Sequence, residues 1–420
     1  MHVCLDGTSL LGAARFERGR TGLTRYAIEL MRAMKELMPD LKLRCQIFER
    51  CAFDSEIAVP KIKKLWPDLS ENIYPQFRSR FRLGRLYRMI DSAVFHPMDG
   101  PSPVRLLRKF LLAPMRFITQ MDGRRVLPRP ALFHSLHLWP PPQRTLRETP
   151  YVLTIHDVLP LTRPEFFPPR LFREFRRRLG LVNPRTDHII CDSDATRREF
   201  LSLLSKPVKH CSVVSLAASK KFLPINNSCE LGKILVKWGL KADHYIFSAA
   251  TLEPRKNLPL LLKCYDELVR NREVQNWPLV VAGAAGPAAK EIRHLAGASQ
   301  GKVILTGYVS DDELCALYNG AGVFVYIPHC EGFGLPPLEA MQCGAPVIVS
   351  SCSSLPAVAG DAGLKVSPSS GTELCKALKK VIHDAALRSE LRHRGLERAK
   401  RFSWTQTAQM TLDIYRAAMR

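Results

Sequence analysis

The sequence predicts an α/β protein built from two doubly wound domains. Three observations carry this. Short apolar runs of strand length alternate with helical patterns through most of the chain, which implies parallel sheets flanked by helices. At 420 residues the chain is too long for one ordinary core. The runs also fall into two series, parted by the polar, proline-containing stretch Phe222-Leu-Pro-Ile-Asn-Asn-Ser-Cys229, whose composition is that of a linker.

The first series of expected strands covers residues 3–5, 43–48, 132–134, 151–155, 188–191 and 213–216. The second covers 245–249, 279–282, 303–306, 323–327, 347–350 and 364–366. Several helices announce their starts. Ser310-Asp-Asp-Glu313 reads as a capping box. Asn257 opens a helical run in which Pro259 falls in the tolerated first turn. Ser403 is a good N-cap for a last helix over 404–419, beyond any strand of the second series.

Composition is that of a globular protein, 46% hydrophobic and 24% charged. The net charge of +23 is unusual and fits nucleic acid, an anionic membrane surface or phosphorylated substrates. Residues 77–130 concentrate it, with twelve Arg/Lys against three acids. Within them Val104, Leu107, Leu111, Met115 and Ile118 recur at helical spacing beside Arg105, Arg108, Lys109 and Arg116, a basic amphipathic pattern interrupted at Pro114. No apolar run is long enough to span a bilayer. Met1-His-Val-Cys-Leu-Asp-Gly has neither a basic n-region nor a long apolar h-region. The 12 cysteines include no Cys-x-x-Cys pair. Reduced, buried thiols in a cytoplasmic protein are therefore expected, rather than a disulfide framework or a zinc site.

The most informative segment is Glu331-Gly-Phe-Gly-Leu-Pro-Pro-Leu-Glu339. An apolar strand precedes it, a helix over 336–343 is expected within it, and a second strand follows. A glycine loop entering a helix offers backbone N–H groups to an anion. A carboxylate in that helix, Glu339, can accept the hydroxyls of a ribose. Thr251-Leu-Glu-Pro-Arg-Lys-Asn257 follows the first strand of the second series, and the carboxyl end of such a strand is where doubly wound sheets bind ligands. Arg255 and Lys256 suit a phosphate there, although a solvated turn would also hold them.

Three further motifs are weaker. Thr154-Ile-His-Asp157 puts His156 at a strand's carboxyl end, where a structural histidine is the usual case. Asp192-Ser-Asp194 is a short acidic pair that could hold a divalent metal, but the spacing is common. Gly19-Arg-Thr-Gly22 could approach a pyrophosphate. There is no G-x-G-x-x-G and no Walker-A lysine loop.

Taken together these segments resemble glycosyltransferase family 4, retaining sugar-nucleotide enzymes of the GT-B fold. The strongest parts are Leu252-Glu-Pro-Arg-Lys-Asn-Leu258, Gly307-Tyr-Val-Ser-Asp-Asp-Glu-Leu-Cys-Ala-Leu-Tyr318 and Glu331-Gly-Phe-Gly-Leu-Pro-Pro-Leu-Glu-Ala-Met341, continued by Gly344-Ala-Pro-Val-Ile-Val-Ser and Leu355-Pro-Ala-Val-Ala-Gly-Asp-Ala-Gly363. The first half matches more loosely. The resemblance implies two Rossmann-like domains facing a cleft. An acceptor-side domain would cover residues 1–222 and a nucleotide-sugar-binding domain 223–402, with a helix over 403–420 returning to the first domain.

It also implies roles. Arg255 and Lys256 would bind the donor diphosphate, and Glu339 the ribose. Glu331 and the backbone of Gly332, Phe333, Gly334 and Leu335 would contact the transferred sugar. His156 would approach that sugar from the first domain, and Gly22 would let its loop near the phosphates. No metal or other cofactor is implied, because Arg, Lys and a helix dipole can stabilise the leaving diphosphate. Two positions depart from the family pattern: Ser-Lys-Lys precedes Phe222 where an acid is frequent, and Ala357 replaces a usual glutamate.

The expected function is transfer of a mannose- or glucose-type hexose to a polysaccharide or lipid-linked glycan, as in lipopolysaccharide biosynthesis. The enzyme would be cytoplasmic or peripheral on the inner face of the cytoplasmic membrane, with no nucleic-acid partner. The alternatives are a non-catalytic nucleic-acid-binding protein, motivated by the charge, and a sugar-nucleotide epimerase of related fold. For single-strand stacking the basic stretch offers only Phe77, Phe81 and Tyr87 as an aromatic cluster.

Overall fold

The structure is a computed structural model. It describes residues 1–6, 22–47, 63–75, 77–78, 124–125, 131–136 and 149–420. The expected amphipathic helix over 104–118, the loop 19–21 ahead of Gly22 and the aromatic positions Phe81 and Tyr87 lie outside them.

The strands, in chain order, are β1 (His2–Asp6), β2 (Lys42–Ile47), β3 (Ile73–Pro75), β4 (Phe77–Arg78), β5 (Arg124–Arg125), β6 (Leu132–Ser135), β7 (Tyr151–Ile155), β8 (His188–Cys191) and β9 (His210–Val213), then β10 (Ile246–Ala249), β11 (Leu279–Ala282), β12 (Val303–Gly307), β13 (Val323–Tyr326), β14 (Val347–Ser350) and β15 (Gly363–Val366). One sheet has the order β3-β2-β1-β6-β7-β8-β9 and another β12-β11-β10-β13-β14-β15, while β4 and β5 form a two-residue ribbon. All five ladders of the six-stranded sheet are parallel. Its order, counted from its own first strand, is 3-2-1-4-5-6, that of a doubly wound nucleotide-binding sheet.

The chain forms two compact units that interleave along the sequence. The first comprises Met1–Thr154, Leu181–Ile189 and Ala408–Arg420, and the second Ile155–Gly180 and Ile190–Thr407. In the first unit, Val3, Leu5, Leu43 and Phe133 are buried together with Tyr26, Leu30 and Met31 of the helix Gly22–Leu37. A hydrogen-bonded chain runs through it. The Tyr26 hydroxyl meets Thr154 Oγ1 at 3.0 Å, Thr154 Oγ1 meets His134 Nε2 at 2.8 Å, and His134 Nδ1 meets the Tyr415 hydroxyl at 2.7 Å. Tyr415 lies in the last helix, Trp404–Ala418, so the distal part of that helix is bonded within the first unit.

In the second unit the strands Ile246–Ala249, Val323–Tyr326 and Val347–Ser350 are buried along their length. Burial on both faces explains why they read as near-continuous apolar runs. Helices Leu258–Arg270 and Gly371–His383 pack over this sheet through Leu261, Leu262, Leu374 and Leu378. They also correct one expectation, because Cys264 and Cys375 are joined as a disulfide with Cα atoms 5.7 Å apart. The facing surfaces of two helices bring together thiols 111 residues apart, which no local spacing announces. The other described cysteines are free thiols.

Several elements differ from the sequence reading, the short strands β4 and β5 among them. β9 covers 210–213 rather than 213–216. Val214 and Leu216 are buried all the same, and the Val214 N–H still donates to the Cys191 carbonyl at 2.9 Å, so apolar character persists beyond the ladder. β3 was not foreseen, because a three-residue run ending in proline gives little strand signal. It is an edge strand, where a missing N–H is tolerated. The helix expected from 336 begins at Leu335 and ends at Gln342.

Candidate active site

The order of the six-stranded sheet reverses between β10 and β13, which pair directly. Ligands of open α/β sheets bind at such a switch point, outside the carboxyl ends of the strands. The two loops leaving it are 250–257 and 327–334, which contain the two strongest sequence motifs. They are tied together by a hydrogen bond from the His329 N–H to the Arg255 carbonyl, 2.8 Å.

The first loop makes a turn of 3-10 helix over Pro254–Lys256 and then places Asn257 in the left-handed region, φ 58°. Asn tolerates this conformation better than most residues. The Asn257 side chain is buried and donates to the carbonyls of Ile327 and Pro368, at 3.1 and 2.8 Å. It thus anchors the loop, whereas the sequence reading gave it only a helix start. The turn leaves Arg255 and Lys256 directed at Glu331. Lys256 Nζ lies 2.6 Å from Glu331 Oε2, and Arg255 Nη1 3.1 Å from the same oxygen. The Tyr326 hydroxyl also donates to it, at 2.8 Å, and receives a bond from Lys256 Nζ at 2.6 Å. Burial would raise the Glu331 carboxyl, but the Lys256 ammonium and the Arg255 guanidinium outweigh it and hold the group down at about 2. Burial pulls Lys256 downward against the attraction of Glu331. With three donors on one carboxylate oxygen, Glu331 is ionised.

The second loop depends on two glycines. A Cβ on Gly332 would stand 2.1 Å from the His156 carbonyl oxygen, so no larger residue fits there. The Gly332 carbonyl accepts from Ser193 Oγ at 2.7 Å and Thr196 Oγ1 at 3.0 Å. Gly334 has φ 108° and is the N-cap of the helix Leu335–Gln342, which has proline in its first turn. Pro336 and Pro337 carry no N–H, so the donors left at this helix entrance are those of Phe333, Gly334 and Leu335. That is narrower than a full helix N-terminus. The Phe333 ring is buried and meets Phe402 edge-on at 6.0 Å, so only its backbone can serve a ligand. Glu339 is 2% exposed, and its Oε2 accepts from the Tyr318 hydroxyl at 3.3 Å.

His156 belongs to the second unit, with the glutamate loop. Its Nδ1 lies 2.5 Å from Asp192 Oδ2. Asp192 and Asp194 therefore do not act as a pair, because Asp194 turns to Arg197 and Arg198, each at 2.7 Å. Among the described residues no group of three or more His, Cys, Asp or Glu side chains could hold a metal ion. Gly22 opens the helix Gly22–Leu37 in the first unit. The structure thus gathers Arg255, Lys256, Glu331 and, through Gly332, His156 within one unit, and sets Glu339 about one turn into the helix that follows. The sequence reading missed Tyr326 and the tie between His156 and Asp192. The single hydroxyl in the apolar run Val-Phe-Val-Tyr-Ile was the available signal for the first, and nothing local marked the second.

Two α/β sheets, with basic residues and a glutamate at the switch point of one of them, are the architecture of the GT-B fold. Comparison with known proteins agrees. The family profile "Glycosyl transferases group 1" matches residues 233–401. The chain is 34% identical over 267 residues to the O-antigen chain mannosyltransferase B of Escherichia coli, covering 63% of this chain and 70% of that one. It is 33% identical over 267 residues to the serotype-specific mannosyltransferase WbdA of Escherichia coli, of whose length the match spans 33%. Among solved structures, Anabaena Alr3699/HepE in complex with UDP and glucose superposes with a TM-score of 0.66 at 15% identity over 99% of both chains. WaaG, a glycosyltransferase involved in lipopolysaccharide biosynthesis, superposes at 0.61 and 15% over 98% of both. The chain belongs to the group 1 glycosyl transferases and is an enzyme of that class.

Proposed function

We propose that the enzyme moves a hexose of mannose or glucose type from a nucleotide diphosphate donor to a polysaccharide or lipid-linked glycan, with retention of anomeric configuration. The observation that carries this is the convergence of Arg255 and Lys256 on Glu331 at the switch point. In this reading the two cations take the donor diphosphate and Glu339 the ribose. Glu331 and the backbone of residues 332–335 contact the transferred sugar, and His156 approaches it. Gly22 lets its loop near the phosphates. The acceptor hydroxyl attacks on the face from which the diphosphate departs, and the leaving phosphate takes its proton. The positive charge needed by that leaving group comes from Arg255, Lys256 and the helix entrance, without a metal. The mannosyltransferase names of the relatives favour mannose and a lipopolysaccharide-type acceptor, and family membership favours transfer over the epimerase and nucleic-acid readings. The test is transfer from a panel of labelled nucleotide-hexoses to lipid-linked glycan, with the product linkage read by NMR. Transfer from none of them, or an inverted linkage, would reject the reading.

We also place the enzyme at the inner face of the cytoplasmic membrane. No helix among the described residues is long and apolar enough to cross a membrane, so attachment would be peripheral. The basic excess of residues 77–130 supports it, as do the exposed arginines 170, 173, 176 and 177 of the helix Pro169–Leu179, since each cation near an anionic leaflet contributes ~1 kcal/mol. Flotation with liposomes should require anionic lipid, fall at high salt, and weaken when Arg105, Arg108, Lys109 and Arg116 become Gln. Equal recovery with neutral vesicles would reject the placement.

A further inference from the structure

Asp192 is 2% exposed and its Oδ2 lies 2.5 Å from His156 Nδ1. The other carboxylate oxygen, Oδ1, is buried with no hydrogen-bond partner among the described residues. A buried carboxylate is costly unless it is paired, so its retention at this depth calls for a role. Apart from the histidine, its neighbourhood offers hydroxyls committed elsewhere: Ser193 caps the helix Asp194–Ser202 and, with Thr196, holds the Gly332 carbonyl. Among the described residues, the side chain that the Asp192 carboxylate bonds is the His156 ring. Burial raises the Asp192 carboxyl and the adjacent His156 opposes this.

We infer that Asp192 is a positioning residue for His156: by accepting a hydrogen bond from Nδ1–H it fixes the ring's orientation and tautomer, so that Nε2 is the nitrogen that accepts from a hydroxyl of the transferred sugar. The inference rests on the proposed role of His156 in transfer. The geometry accounts for how that role is set up. The backbone of residue 156 is locked by Gly332, whose missing side chain admits its carbonyl, and by Thr196 Oγ1, which donates to the same carbonyl at 3.2 Å. The ring is then locked by Asp192. Holding both backbone and imidazole fixes the orientation of the ring. A neutral ring carries one proton, and placing it on Nδ1 makes Nε2 the acceptor.

The test is a double-mutant cycle in the transfer assay. Asp192→Asn keeps shape and an accepting oxygen but loses the charge and can turn its amide toward the ring. It should lower kcat about tenfold or more while donor KM stays nearly constant, with Tm held. In a His156→Ala background the same change should cost nothing further. Unchanged kcat in Asp192→Asn, with His156→Ala impaired, overturns the inference alone. So does an equal loss in both backgrounds, which would mark a merely structural aspartate. Full activity of His156→Ala overturns the role of His156 and the inference with it. Nitrogen-15 NMR of the wild-type ring gives a readout independent of any variant's folding. Nδ1 should carry the proton, and a ring protonated only at Nε2 overturns the assignment.

Discussion

Glu331 accepts from Lys256, Arg255 and Tyr326 through one oxygen, and this crowding sets what single substitutions should do. Arg255→Ala and Lys256→Ala should each lower kcat/KM about 10- to 100-fold, the loss expected for a charge-assisted contact of ~1.5–3 kcal/mol. Wild-type turnover in the double variant would remove the diphosphate assignment. Glu339→Gln should weaken nucleotide affinity with little change in Tm, and unchanged affinity by calorimetry would count against the ribose role. The ionisation of Glu331 has a consequence for stability. Its carboxyl sits at about 2, below the ordinary ~4.3. A depressed carboxyl contributes stability above its ordinary value and loses it as pH falls through the folded value. The Tm difference between wild type and Glu331→Gln should therefore be full above about pH 5 and shrink between about pH 4 and pH 2; a constant difference would show that the charge is not coupled to folding. At this scale the residue types were legible: Arg255, Lys256, Glu331 and Glu339 were all named from the sequence. Their partners were not. Tyr326 and Asp192 act on neighbours 70 and 36 residues away, and such pairings arise only from strand order.

Elements were legible where period and caps agreed. The capping box at Ser310 and Glu313 forms as read, and Ser403 Oγ accepts from the Gln406 N–H at 3.1 Å. The strands of the six-stranded sheet fall within about a residue of expectation, because burial on both faces makes them continuously apolar. The glycine loop was legible as a loop, but its tight contact was not. Gly332 is required because another segment's carbonyl occupies the space of its Cβ, and that segment lies about 175 residues earlier in the chain. Gly332→Ala should accordingly shift the 154–157 segment, lower Tm by several degrees and reduce turnover more than donor affinity, a loss of order 1–3 kcal/mol for overpacking. A wild-type Tm and turnover would mean that the loop relaxes freely.

At the scale of the whole molecule, two doubly wound sheets were read from alternation and length, and both are present. Along the chain, β7 and β8 each divide their residues between the two compact units. The first unit closes on a buried chain of four side chains, Tyr26, Thr154, His134 and Tyr415. Tyr415→Phe removes the partner of His134 Nδ1, and should cost about 1 kcal/mol of stability while leaving the specific activity of the folded enzyme unchanged. A strong chelator should leave transfer intact, and loss with EDTA restored by manganese would reject metal independence.

By itself the sequence determined the class of fold, the strands of both sheets in outline, and the charged residues of the 250–257 loop. Each of these is written in local pattern: apolar period, turn chemistry and residue type at a strand's end. Only the tertiary structure decided which of those residues meet. It brought Arg255 and Lys256 onto Glu331 and set His156 against Gly332 with Asp192 behind it. It also joined Cys264 to Cys375. The reason is physical. A pairing across 36 to 176 residues depends on strand order and helix packing, which settle once the whole apolar core is buried, and no local window of sequence contains that information.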